Sequence, residues 1–317
     1  MAGDGPMIGR IQGVLCCGNI SYDIPVWPVD EVAWGKSLWV DQITFSVGGN
    51  GSSTSYSLAT MGGQVRLTGM VGRDREGEAI LEILKRAGVD LDIRHSDQPT
   101  TSTVVLVQSS GDRSFLHRPG ASRDVTAEML SFHVPGYSHF HLANLFSLPT
   151  IRLAGGEVMR RAKAAGLTTS LDTAWDAKAK WMEDVGPCLP NTDLLFVNDS
   201  EAKMLTGSDD PWEATRILRS HGAKDVILKV GPRGCIVFEG NEMTAVSGYR
   251  VQAKDTTGAG DCFAGGFLAS LQRGLSYLEA AKVANAVGAS NVENLGSAQG
   301  ARSWEDTQTW MRERDTL

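Results

Sequence analysis

Asp255-Thr256-Thr257-Gly258-Ala259-Gly260-Asp261 runs directly into Cys262-Phe263-Ala264-Gly265-Gly266-Phe267-Leu268, an apolar stretch with helical rather than strand character. Small residues at Gly258, Ala259 and Gly260 let a backbone approach a ligand closely, and the first amides of the following helix have no intrahelical partner. Those amides point outward as donors to an anion. Asp261 sits beside this anion pocket, where a carboxylate has a chemical use: taking the proton from a hydroxyl that attacks phosphorus. The same residues also read as a Gly-rich turn with a capping acid stabilised by the helix dipole. Taken alone, the segment leaves both readings open.

Composition narrows the field. The chain has 317 residues, 42% of them hydrophobic, without an apolar run long enough to span a bilayer. Thirty basic against 37 acidic residues leave a net charge of −7, and no Lys/Arg-rich run marks a nucleic-acid or anionic-membrane surface. Met1 to Arg10 lacks a charged segment followed by an apolar core, so a frayed tail is expected there rather than a secretory signal. Cys16, Cys17, Cys188, Cys235 and Cys262 are odd in number and show no C-x-x-C spacing, which fits buried, reduced thiols in a cytoplasm.

Along the chain, apolar β-branched runs alternate with segments of helical period. Strands are expected at 14–17, 64–68, 168–172, 194–198 and 226–230, and helices at 76–88, 151–165, 199–206 and 211–221. This alternation predicts an α/β fold: a doubly wound, mostly parallel sheet in three layers. Residues 36–47 and 103–118 alternate instead like half-exposed strands, the second with a turn at Gly111-Asp112, and predict a small β-sheet lid or extra edge strands.

A second Gly-rich turn, Gly48-Gly49-Asn50-Gly51, opens another helix and is followed by Ser52, Ser53, Thr54 and Ser55. Hydroxyl and amide side chains suit a polyhydroxylated ligand better than a phosphate. Asp23 follows the first buried strand, at the carboxyl end where open α/β sheets bind ligands, and a carboxylate there can accept from two sugar hydroxyls at once. A Ser-rich helix start and a solvated turn acid are the plain alternatives. Gly35-Lys36-Ser37 is not a phosphate-binding loop, since Asp30 stands where its upstream glycine belongs.

The order Gly18…Asp23, Gly48 to Gly51, Gly72 to Gly77, Asn198-Asp199-Ser200-Glu201, Lys229 to Gly234 and Asp255 to Asp261 resembles the ribokinase-like carbohydrate kinases, also called the phosphofructokinase B family. The resemblance spans roughly residues 12 to 300, and its last motif is highly specific. It implies a three-layer core with a β lid, one kinase domain over 12–305 with lid strands inserted from about 24–47 and 103–118, and tails at 1–11 and 306–317. It also implies ATP as phosphoryl donor, Mg2+, and a sugar or sugar-like alcohol as acceptor. Asp261 matches the catalytic base, and the amides from Gly258 through Ala259 and Gly260 to Asp261 match the anion hole. Asn198 and Glu201 match the Asn-x-x-Glu pattern that organises magnesium, reached through water, and the phosphates.

Lys229, Gly231, Gly234 and Thr256 match the nucleotide-site lining, and Asn285 falls where the family contacts adenine. Lys229 either touches phosphate or faces solvent. Asp255 and Thr257 match positions that hold a monovalent cation, K+, in some members, although Asp255 also reads as a strand-end acid. For the acceptor, Asp23, Gly48, Gly49, Asn50, Ser53 and Asn144 match sugar-contacting positions. Ser21 and Asn50 depart from the ribokinase pattern of Asn and Lys. Arg113, His117 and Arg118 stand where an acidic or phosphorylated sugar could be met, and Asp172 and Trp175 where the pocket could be finished. The resemblance further implies a homodimer formed through the lid, with Trp39, Ile43 and Phe45 as candidate contacts. A nucleoside kinase of the same family and a non-catalytic sugar-binding regulator on this fold are the alternatives to an ATP-dependent sugar kinase.

Overall fold

The computed structural model describes residues 10–314; of the tail expected at 1–11, residues 1–9 lie outside them, and Ile11 is buried in the core. In chain order the strands are β1 (Gly13–Cys17), β2 (Ser21–Trp27), β3 (Gln42–Ile43), β4 (Ser46–Gly48), β5 (Val65–Val71), β6 (Asp90–His95), β7 (Thr101–Val107), β8 (Arg113–Arg118), β9 (Tyr137–Leu142), β10 (Thr168–Asp172), β11 (Leu194–Asn198), β12 (Asp225–Lys229), β13 (Gly234–Glu239) and β14 (Glu242–Ser247). The helices are α1 (Asn50–Thr60), α2 (Arg75–Arg86), α3 (Pro149–Ala164), α4 (Met182–Val185), α5 (Asp199–Thr206), α6 (Pro211–Ser220), α7 (Ala259–Gln272), α8 (Tyr277–Val292) and α9 (Trp304–Arg312).

The main sheet runs β14-β13-β12-β11-β10-β9-β1-β5-β6. All pairings are parallel except β12 with β13 and β13 with β14. Its central strands are buried on both faces, so they read as continuous apolar runs, and the period-2 alternation shows only in which core each side chain enters. Val14, Cys16, Leu194, Phe196 and Ile227 join the core under α1, α2, α7 and α8. Leu15, Cys17, Leu195, Val197, Val226 and Leu228 join the opposite core under α3, α5 and α6. Three layers follow from that division.

A second sheet, β3-β2-β7-β8 with β4 also on β2, forms the lid. β7 and β8 pair antiparallel through a turn in which Gly111 has φ 88°. The stretch 36–47, expected to be half-exposed strand, holds only β3 and the start of β4, and Trp39, Ile43 and Phe45 are exposed rather than lid core. Asp23 lies within β2 of the lid and not in a turn after β1. Of the residues from 306 on, expected as a tail, 306–312 are helical: Trp310 of α9 is buried and packs edge-on against Tyr249 at 5.3 Å. Ser303 caps this helix through the Asp306 amide, and the buried aromatic contact, which sequence spacing does not reveal, anchors it.

Candidate active site

The carboxyl ends of the parallel strands and the start of α7 meet at one place. Gly258 precedes α7 with φ 71°, and no side chain caps the helix. A Cβ on Gly258 would stand 1.9 Å from the Ser297 carbonyl oxygen, so only glycine lets the helix begin there. No side chain occupies the first-turn amides, of which that of Ala259 donates weakly to the Thr256 carbonyl at 3.4 Å, and the first turn of a helix is where an anion finds donors.

Asp261 lies in that first turn and keeps partial access to solvent. Asn50 Nδ2 donates to Asp261 Oδ1 at 2.8 Å. Asn50 Oδ1 accepts in turn from Asn144 Nδ2 at 2.7 Å, and Asn144 Oδ1 accepts from the amide of Phe146 at 2.8 Å. Three segments far apart in sequence thus aim one carboxylate. Burial raises Asp261 to about 6, against the opposing pull of Asn50 and Lys229. A carboxylate tuned upward toward neutrality is better matched to general-base work than an ordinary one.

Asp23 is buried, which excludes the solvated turn acid. Its Oδ1 accepts from Ser21 Oγ at 2.6 Å and its Oδ2 from Ser297 Oγ at 3.1 Å. Burial raises its pKa against those hydroxyl donors. Gly48 lies against this carboxylate, where a Cβ would come 1.9 Å from Asp23 Cγ. Gly49 precedes α1, whose first turn is tied to Asn19: the Asn50 amide donates to Asn19 Oδ1 at 3.1 Å. Ser53 is fully buried and its hydroxyl has no partner.

At the carboxyl end of β11, Asn198 and Glu201 form a reciprocal cap on α5. Asn198 Oδ1 accepts from the Glu201 amide at 2.8 Å, and Glu201 Oε2 accepts from the Asn198 amide at 3.1 Å. Glu201 is nonetheless buried rather than solvent-facing, with Oε2 also accepting from Thr173 Oγ1 at 2.8 Å. Burial, partly offset by Lys229, raises its pKa. Lys229 does not face solvent either, since its Nζ donates to both oxygens of Asp172 at 2.8 and 2.9 Å. Gly231 and Gly234 bracket the short turn from β12 to β13 with φ 59° and 99°. Thr256 lies in the half-exposed loop before α7. Asn285 on α8 is buried, and its Nδ2 donates to the carbonyls of Val246 and Ser247 at 3.1 Å each.

Asp255 is buried in a loop and not at a strand end. Its Oδ1 accepts from the Thr257 amide and its Oδ2 from the Gly296 amide, both at 2.9 Å. Thr257 Oγ1 is buried without a partner beside it. In the lid, His117 Nδ1 is 3.0 Å from Thr103 Oγ1, Arg118 donates to the Thr100 carbonyl at 3.0 Å, and Arg113 lies over Phe115. Trp175 is exposed and packs edge-on against Trp181 at 5.0 Å.

Sequence reading missed Asn19, Thr173 and Ser297, which hold Asn50, Glu201 and Asp23. Each is an ordinary polar loop residue whose partner is distant in sequence, so no local pattern marks it. Among the described residues no group of three or more His, Cys, Asp and Glu side chains is arranged to hold a metal unaided.

The uncapped helix start, the tuned acid beside it and the small β lid stand together at the carboxyl ends of an open α/β sheet, the place where such sheets bind ligands. The chain belongs to the pfkB family of carbohydrate kinases, whose model matches residues 13–304. It is 28% identical to 2-dehydro-3-deoxygluconokinase of Bacillus subtilis, over 91% of this chain and 97% of that one. It is 27% identical to fructokinase-1 of Oryza sativa, over 92% and 95% of the two chains. An E. coli protein assigned as a ribokinase II and solved with ATP and Mg2+ shares the fold at a TM-score of 0.85, with 24% identity over 96% of this chain and all of that one. No helix of the described residues is long and apolar enough to cross a membrane.

Proposed function

We propose that this kinase transfers the γ-phosphoryl group of ATP to a hydroxyl, by preference a primary one, of a sugar or sugar derivative. The observation that carries the reading is the Asn50-fixed carboxylate of Asp261 at the uncapped start of α7. Asp261 takes the proton of the acceptor hydroxyl as it attacks phosphorus in line, while the amides from Gly258 to Asp261 receive the charge of the transferring group. Asn50 and Asn144 orient the base, and Asp23 holds the acceptor's other hydroxyls. No covalent enzyme intermediate is required.

The donor set fits Mg2+ arriving with the nucleotide, because one buried carboxylate, Glu201, supplemented by water and phosphate oxygens is the usual magnesium environment and an all-protein cage is absent among the described residues. Bound there, Mg2+ neutralises charge on the phosphates. Asp255 and the orphaned hydroxyl of Thr257 fit a monovalent cation such as K+. Five free, buried cysteines favour a reducing cytoplasm. The exposed lid side chains Trp39, Ile43, Phe115 and Leu116 favour a second copy of the chain as partner, a state that sedimentation measures.

The test is a coupled ADP-release screen over sugars, sugar acids and nucleosides, with Asp261→Asn in parallel. A free sugar or sugar acid should stimulate ADP release, and the variant should not respond. Stimulation by nucleosides alone would reassign the acceptor, and equal release by both proteins would remove Asp261 from the chemistry.

A further inference from the structure

Lys229 ends β12, and its ion pair with Asp172 bridges over β11, whose Phe196 and Asn198 stand in register with Asp172 and Lys229. The two side chains are only 13% and 3% exposed. The ammonium lies 3.2 Å from where a Cβ on Gly260 would stand, so it sits under the first turn of α7, beside the residue preceding Asp261. Thr173, next to Asp172, donates to Glu201. The end of β10 therefore grips both the cation and the metal-side acid.

A lysine that served as phosphate ligand would have to leave Asp172, stranding a carboxylate with almost no access to water. What the ammonium already faces is a surplus of acids. The titratable and charged groups around Asp261 are Asp23 from β2, Asp172 from β10, Glu201 from α5, Lys229 from β12, and the thiols of Cys16 on β1 and of Cys262 on α7. The thiols are pushed far up by burial and stay neutral. Lys229 is the cation of this group, and its pKa is raised because the carboxylates of Asp172, Glu201 and Asp261 outweigh its burial. Remove that charge and the acids repel one another, which favours a proton on the base.

We propose, resting on the reading of Asp261 as base, that Lys229 acts from beneath the anion hole as a fixed charge clamped by Asp172, keeping Asp261 a carboxylate, and does not serve as a phosphate ligand. Lys229 is a positioning residue and Asp172 is its anchor.

The test follows Asp261 directly by 13C NMR of protein labelled at its aspartate carboxyl carbons, with the resonance assigned by its loss in Asp261→Asn. MgATP affinity is measured alongside by calorimetry. In Lys229→Met the Asp261 midpoint should rise by about 1–3 pH units, while MgATP affinity stays within roughly threefold. An unmoved midpoint, or MgATP affinity weakened by roughly tenfold or more, overturns the proposal. Should Lys229→Met fail to fold, Asp172→Asn with Lys229→Met is compared with Asp172→Asn alone, so that the rise in the Asp261 midpoint between the two isolates the loss of the cation, with MgATP affinity read as before. Wild-type turnover in Asp261→Asn would instead sink the base assignment, and the titration result would stand apart from it.

Discussion

Asn50 Nδ2 donates to Asp261 Oδ1 at 2.8 Å across 211 residues of sequence. Because Asn50 Oδ1 is taken by Asn144 at 2.7 Å, the carboxamide can present only its amino group to the acid. The Asp261 carboxylate is thereby fixed in direction by a helix start and a loop far apart in sequence.

Replacing Asp261 by Asn should lower kcat by about 10²- to 10⁴-fold, the usual worth of a positioned general base. Asn50→Leu should cost about 10- to 100-fold, as expected for one hydrogen bond to a charged group. Steady-state kinetics with the acceptor found in the ADP-release screen measures both.

The pH dependence follows from the value of about 6 for Asp261. Turnover should rise through that pH as the base ionises, giving kcat/KM an acid limb centred there. Stability should move the other way. Between the ordinary 3.8 and about 6, the folded chain keeps a proton on Asp261 that the unfolded chain has lost. The group's stabilising contribution is therefore present below the lower value and lost as pH rises through the upper one. Asp261→Asn should accordingly melt at the same temperature or about 1–3 °C higher at neutral pH. A clear fall in Tm, read by calorimetry, would contradict the upward shift.

Gly48→Ala should act on the acceptor and leave the nucleotide alone. The new Cβ would collide with the Asp23 carboxylate at 1.9 Å, displacing a group the hydroxyls of Ser21 and Ser297 now hold. The acceptor KM should rise by about tenfold or more while MgATP affinity, measured by calorimetry, is unchanged.

Glu201→Gln keeps the reciprocal cap, since glutamine serves that position as well as glutamate. The fold should survive, and loss of the charge should raise the Mg2+ concentration for half-maximal activity by about tenfold. A magnesium titration of turnover after chelator treatment reads the shift.

Arg152 makes a two-pronged contact with Asp176 at 2.7 and 2.9 Å and also meets Asp184, all three side chains being largely buried. Asp176 also accepts from the amides of Lys178, Lys180 and Trp181, so it organises the whole loop after β10. Asp176→Ala should cost about 3–5 kcal/mol in urea unfolding, because it removes the two-pronged partner of a buried guanidinium, leaving it Asp184 alone, and strands three loop amides.

Much of this molecule was legible before folding. The core strands and helices follow from apolar runs and 3.6-residue periodicity, and the start of α7 follows from Gly258 to Asp261, because those signals are local. The lid was legible only in part. Residues 36–47 carry alternation but yield the two short strands β3 and β4, because alternation states which residues could face a core and not whether one is present. α9 was missed for the opposite reason, since its anchor is Trp310 meeting Tyr249 across the chain.

The sequence by itself carried the motifs of the family: an acid and a row of small residues at one helix start, hydroxyls and amides at another. Tertiary structure decided what each group does there. It turned Lys229 inward onto Asp172, buried Glu201 against Thr173 and aimed Asp261 through Asn50 and Asn144. Backbone shape is written in short-range periodicity, whereas the charge and direction of a buried side chain depend on partners that only the closed sheet brings within hydrogen-bonding distance.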